Sequence, residues 1–113
     1  MTRFFLLLAL AGIVTVLLAP IAGADELNTR ALRKLFPGNF HAVVRGSAVQ
    51  FTARSDGSLI GRYLSATDQG RWSVRNGRLC IVLEKWMNGK QACSTVIEDD
   101  GWYHAADVRF RRI

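Results

Sequence analysis

Side chains suited to metal or covalent chemistry are scarce in this chain. Two cysteines and two histidines are spread over 113 residues, and nine Asp and Glu stand against fifteen Lys and Arg. Cys80 and Cys93 have no C-x-x-C spacing, which argues against a zinc ribbon or a thioredoxin-type site. No G-x-S-x-G elbow occurs, and no base, nucleophile and orienting group fall into one pattern. The chain therefore reads as a non-enzyme with no cofactor. His41 and His104 lie in strand-like segments and read as ordinary strand residues. The acidic run Glu98-Asp99-Asp100 lacks the alternating ligand spacing of a calcium loop and reads as a solvated hairpin turn. Low-complexity segments and internal repeats are also missing, and a 50% apolar content with three tryptophans excludes a disordered chain.

A long apolar run occurs once. Met1-Thr2-Arg3 carries one positive side chain, and Phe4 to Ala19 follows with only Thr15 polar. Pro20 breaks that run, and Ala22-Gly23-Ala24 supplies the small-x-small triplet that a signal peptidase accepts. The pattern predicts a signal peptide over residues 1–24, cleaved after Ala24, and a periplasmic or secreted protein. A retained membrane anchor is the alternative, because the run approaches spanning length. Cleavage leaves Asp25 to Ile113, one small β-domain, and removes a single arginine, so the mature chain stays basic. Outside the cytoplasm nucleic acid is not an expected partner; anionic lipid or glycan surfaces, or a protein partner, are.

After the signal segment, Asp25 to Phe36 reads as one short helix capped by Asn28 and stopped by Pro37-Gly38. Beyond Gly38 the apolar period becomes two. Val49, Phe51 and Ala53 alternate with polar residues, as do Trp72 and Val74. Turn signals recur at Asp56-Gly57, Asn76-Gly77, Asn88-Gly89 and Asp100-Gly101, with further breaks at Gly46 and Gly70. About seven or eight strands are expected, in an antiparallel meander that curls into a strongly twisted sheet or a small lipocalin-like barrel.

Register follows from the turns. A two-residue Asn76-Gly77 turn pairs Val74 with Leu79 and Trp72 with Ile81, placing four apolar side chains on one face. A three-residue Asp56-Gly57-Ser58 loop pairs Phe51 with Tyr63 and Ala53 with Gly61. The last strand is expected to run unbroken from Trp102 to Arg112, with Trp102, Ala106, Val108 and Phe110 on its buried side. The cysteines form one disulfide in an oxidising compartment. A tight Asn88-Gly89 turn would leave their sulfurs four residues apart along the strands, beyond disulfide reach. A wider loop over Lys85 to Asn88 sets Cys80 opposite Cys93, and that is the expected arrangement.

Several stretches together carry a resemblance. They are Leu35-Phe36-Pro37-Gly38, Asp56-Gly57-Ser58-Leu59-Ile60-Gly61, Gly70-Arg71-Trp72-Ser73-Val74, and Leu79-Cys80 with Trp86 and Cys93. From about Leu32 to Phe110 the chain resembles a family of small exported alphaproteobacterial proteins classed as a domain of unknown function. That resemblance implies a periplasmic address and a β-rich fold, and it transfers no catalytic or binding residue.

Two candidate binding features remain. Alternation places Arg54, Arg71 and Arg75 on outward strand faces, with Arg109 and Arg111, and together they are the expected anionic-surface site. Trp86 sits beside a hairpin loop, either as an exposed aromatic at the tip or packed over the cysteine pair. The leading functional expectation is a non-catalytic envelope domain that binds a protein partner or an anionic surface. A periplasmic protease inhibitor and a lipocalin-like small-ligand carrier are the alternatives.

Overall fold

The computed structural model describes residues 24–113. Of the expected signal peptide, 1–24, residues 1–23 lie outside the described residues. The elements are β1 (Ala24–Glu26), α1 (Thr29–Leu35), β2 (Gly38–Val44), β3 (Ser47–Ala53), β4 (Ser58–Tyr63) and β5 (Ala66–Arg75). They continue with β6 (Arg78–Leu83), β7 (Ala92–Ser94), β8 (Ile97–Asp99), β9 (Trp102–Ala105) and β10 (Val108–Arg112). All ten strands form one antiparallel sheet in the order β1-β8-β9-β10-β2-β3-β4-β5-β6-β7. Among the described residues the fold is mainly β with one short helix, curled into a half-barrel.

The curl follows from connectivity. Strand β7 is one edge of the sheet and β8 is next to the other, yet only Thr95 and Val96 separate them in sequence. Three Cα steps reach at most about 11 Å, so the two ends of the sheet stand close together. Val96 is fully buried at this seam, and its carbonyl accepts the Leu27 N–H at 2.8 Å.

Local chemistry accounts for most elements. The Asn28 side chain accepts the Ala31 N–H at 2.9 Å and starts α1. The Asn76-Gly77 turn has positive φ at both residues, as a tight hairpin requires. Val74 therefore pairs with Leu79, and Trp72 with Ile81, as the sequence predicts. Cys80 pairs directly with Cys93, and the two form the disulfide across β6 and β7.

Five expectations are corrected. The helix is shorter than Asp25 to Phe36, because Asp25 and Glu26 belong to β1 and pair with Glu98 and Ile97. Phe51 pairs with Gly61 and Ala53 with Leu59, a shift of two positions from the expected partners. The reason lies in the loop, which is Ser55-Asp56-Gly57. Gly57 takes φ of +91° at its end, and the Asp56 carboxylate accepts both the backbone N–H and the hydroxyl of Ser58. Gly70 is no break; it lies inside β5 where a Cβ would collide with the Val82 carbonyl oxygen of β6. The last strand is two strands, β9 and β10, folded back at Ala106-Asp107 with φ of +53° at Ala106. The strands among the described residues accordingly number ten, because β1 and the β9–β10 turn carry no signal of the usual kind.

Inward residues follow the pleat. Helix α1 lies against β5 and β6, and fully buried Leu32 joins Leu35 and Phe36 to the sheet's concave face. There Phe36, Phe40 and Phe110 pack as an aromatic cluster, with ring centroids 4.6 to 6.0 Å apart. Trp72 meets Phe36 at 5.5 Å and donates its indole N–H to the Arg54 carbonyl at 2.7 Å. Thr29 Oγ1 accepts the Gly77 N–H at 2.6 Å, and Arg112 donates to the Leu35 carbonyl, so both ends of the helix are tied to the sheet.

Candidate functional site

The β9–β10 hairpin reverses the expected position of Trp102. Tyr103 pairs with Phe110 and Ala105 with Val108, so those four side chains face inward. Trp102 and His104 alternate with them and face outward, on the same side as Arg109 and Arg111. The guanidinium of Arg109 stands 4.6 Å from the Trp102 ring centroid, and that of Arg111 stands 5.4 Å away. His41 lies opposite Arg111, and its ring meets the indole edge-on at 6.3 Å.

Register extends this cluster into a row. Arg111 faces His41, His41 faces Gln50, and Gln50 faces Arg62. Trp102, Arg111, His41, Gln50 and Arg62 therefore cross five neighbouring strands on the convex wall, about 19 Å from end to end. Arg62 donates to Thr52 Oγ1 at 3.1 Å, and Thr52 in turn donates to Asn39 Oδ1 at 2.9 Å. A shallow depression of about 320 Å³ borders this end of the row, lined by Asn39, Gln50, Phe51, Thr52, Arg62 and Ile113.

The five predicted arginines do not form one patch. Arg109 and Arg111 come together, while Arg71 lies four strands away across the sheet. Arg54 and Arg71 gather around Asp56 instead, where Arg71 donates to the Asp56 carbonyl at 3.4 Å. The Ser58 hydroxyl and N–H, aided by both arginines, hold the Asp56 carboxyl below its ordinary value. Their charge is thus partly answered within the loop. Arg75 pairs across the strands with Arg78 beside the Asn76-Gly77 turn. Among the described residues the ion pair within 4.0 Å is Arg45 with Asp107, so no carboxylate occupies Arg109 or Arg111. Asp107, two residues before Arg109, is held by Arg45, and Asp99 lies opposite Trp102 on β8.

Trp86 is 38% exposed, and its ring rests on Gly61, where a Cβ would run into the indole. Gly61 is on the concave side, whereas the disulfide projects from the convex side of β6 and β7. The indole therefore lies against β4 on the concave side and not over the cysteine pair. Asp68 sets this position. It is 3% exposed and accepts the Lys85 and Trp86 N–H groups at 2.9 and 2.8 Å, with the Gln69 N–H on its other oxygen. Burial opposes its charge, but the N–H donors of Trp86, Gln69 and Lys85 outweigh that and hold the carboxyl below its ordinary value of 3.8.

A carboxyl with a lowered folded-state pKa stabilises the fold above the ordinary carboxylate range and loses that contribution as pH falls through its folded value. D68N should melt lower than the parent at neutral pH, since both carboxylate oxygens accept N–H groups and an amide nitrogen in either place cannot. It should also lose less stability than the parent between about pH 4 and 2. Melting curves across that range test this, and equal acid slopes in the two proteins would show that another group controls acid unfolding.

Among the described residues no three His, Cys, Asp or Glu side chains converge as a metal-ligand set. The Trp102 cluster depends on the Ala106-Asp107 turn, which has no glycine, asparagine or proline to mark it. The available signal was the alternation of Tyr103 and Ala105 with Trp102 and His104, which reverses the parity expected from Val108 and Phe110. No family model, no curated protein and no solved structure matches this chain.

Proposed function

We propose that this chain is an exported, non-catalytic envelope β-domain, periplasmic or secreted, that binds an anionic surface through its convex wall. The supporting observation is the pair of guanidiniums of Arg109 and Arg111 on the outward indole of Trp102, with no carboxylate within 4.0 Å of either. The row continues through His41 and Gln50 to Arg62, which suits an extended surface better than one small ligand. A protein partner is the second reading. It is favoured by Leu64, which is 88% exposed at the tip of the β4–β5 turn with φ of +54°.

Binding of the disulfide-bonded chain to phosphatidylglycerol-containing vesicles, against phosphatidylcholine alone, tests the first reading across a salt series. Binding should be confined to the anionic vesicles and fall steeply with salt. Each arginine at an anionic surface contributes about 1 kcal/mol, so R109Q/R111Q should weaken binding about thirty-fold. R54Q/R71Q should change it by less than about three-fold, because Arg71 is engaged by the Asp56 carbonyl and the Asp56 carboxylate lies near both arginines. Absence of binding at low salt would sink this reading and leave the Leu64 tip as the surface to pursue.

A further inference from the structure

Resting on the surface-binding reading, we infer that Arg109 and Arg111 form a preorganised clamp for a single phosphoryl oxyanion, with Trp102 as its floor. Two features separate a clamp from diffuse attraction between a basic wall and a negative surface.

The first is spacing. Arg109 and Arg111 are two residues apart on β10, so their side chains leave the same face about 7 Å apart. Both guanidiniums then return to one indole, at 4.6 and 5.4 Å from its centroid. The clamp places both planar donor forks on one face of that ring, where they reach the oxygens of one phosphoryl group. Arginine presents its N–H groups to such an oxyanion in bidentate pairs, which an ammonium does not match.

The second is order before binding. A free arginine side chain gives up considerable rotamer freedom when it takes hold of a ligand. Stacking on Trp102 removes much of that loss beforehand. The indole is itself fixed: Tyr103, its neighbour, stacks on Phe110 at 5.4 Å inside the sheet, and His41 stands against its edge. Arg111 lies between Trp102 and His41 across three adjacent strands, so its position is bounded on both sides. With no carboxylate within 4.0 Å, the N–H groups of both arginines remain available to an incoming anion. The same chemistry serves a phospholipid headgroup and phosphate free in solution.

The discriminating variant keeps the charge and removes the fork. R109K/R111K has the parent's net charge, so diffuse attraction predicts unchanged binding to phosphatidylglycerol vesicles. The clamp predicts a loss of about ten-fold, approaching that of R109Q/R111Q. W102L, which changes no charge, should weaken binding several-fold by freeing both side chains. Trp102 faces outward, so an unchanged melting temperature would show that this variant is folded. Inorganic phosphate, compared with chloride at matched ionic strength, identifies the source of the phosphoryl group. Shifts of the Arg109 and Arg111 side-chain NMR resonances with phosphate alone would show a clamp for the free anion. Shifts only with vesicles would show one completed by the lipid headgroup. Parent-like binding by R109K/R111K would overturn the clamp while leaving surface binding intact. Failure of the unsubstituted chain to bind anionic vesicles would remove both.

Discussion

Truncating Phe40 to alanine is expected to lower the unfolding free energy by about 4 kcal/mol, the largest single-residue effect in the domain. Phe40 is 2% exposed and stands between the helix and the concave face of the sheet. Phe36, at the end of α1, touches it at 4.6 Å, and Phe110 of β10 meets it edge-on at 5.6 Å. The Arg112 guanidinium lies over its ring at 5.5 Å while that same side chain holds the Leu35 carbonyl. Alanine would remove apolar contact from helix and sheet together and leave a cavity that neither can close without moving the other. A domain of this size has about 5–10 kcal/mol of stability in total, so the variant should sit near the edge of folding at 37 °C. Equilibrium denaturation in urea measures the loss directly. A change under about 1 kcal/mol would mean that the helix is not seated on Phe40 as described.

Removing the disulfide with C80S/C93S is expected to cost about 3 kcal/mol, from the loop-closure entropy of the thirteen-residue separation. For a domain of this length that corresponds to a melting temperature roughly 15 °C lower. The loss should not be uniform. Strand β7 has three residues and one neighbour, β6, and the disulfide sits at its centre. The loop before it is held at its other end by the carboxylate of Asp68. Without the cross-link, amide exchange should accelerate first at Ala92 to Ser94, ahead of β2 and β3 in the middle of the sheet. Unchanged melting with even exchange across the sheet would show that β7 is held by its ladder hydrogen bonds alone.

Legibility varied with the distance over which each feature is decided. The Asn76-Gly77 hairpin could be read residue by residue, since a two-residue turn permits one register and Trp72, Val74, Leu79 and Ile81 agree with it. The Cys80–Cys93 pairing was equally accessible, because the reach of a disulfide excludes the register of the tight turn. The reading of Asp56-Gly57-Ser58 had the right loop length but began one residue late. The helical expectation for Asp25 and Glu26 failed for another reason: their strand partner, β8, lies about seventy residues further on. Two turns, Leu64-Ser65 and Ala106-Asp107, contain no glycine, asparagine or proline and are imposed by the strands on either side.

The same division governs the site. Sequence alone determined that the described chain is a meander of short antiparallel strands with an apolar face, a capped helix and one covalent staple. Period, turn residues and cysteine spacing are local properties, written within a dozen residues of where they act. Sequence also showed an excess of arginine, but not where that excess would gather. Tertiary structure decided that Arg109 and Arg111 meet on Trp102, that Arg71 reaches the Asp56 loop, and that Trp86 lies on Gly61. Each of those outcomes depends on which face of which strand a side chain occupies. A single turn without a sequence signal, at Ala106-Asp107, reversed the face of Trp102 and so made the cluster.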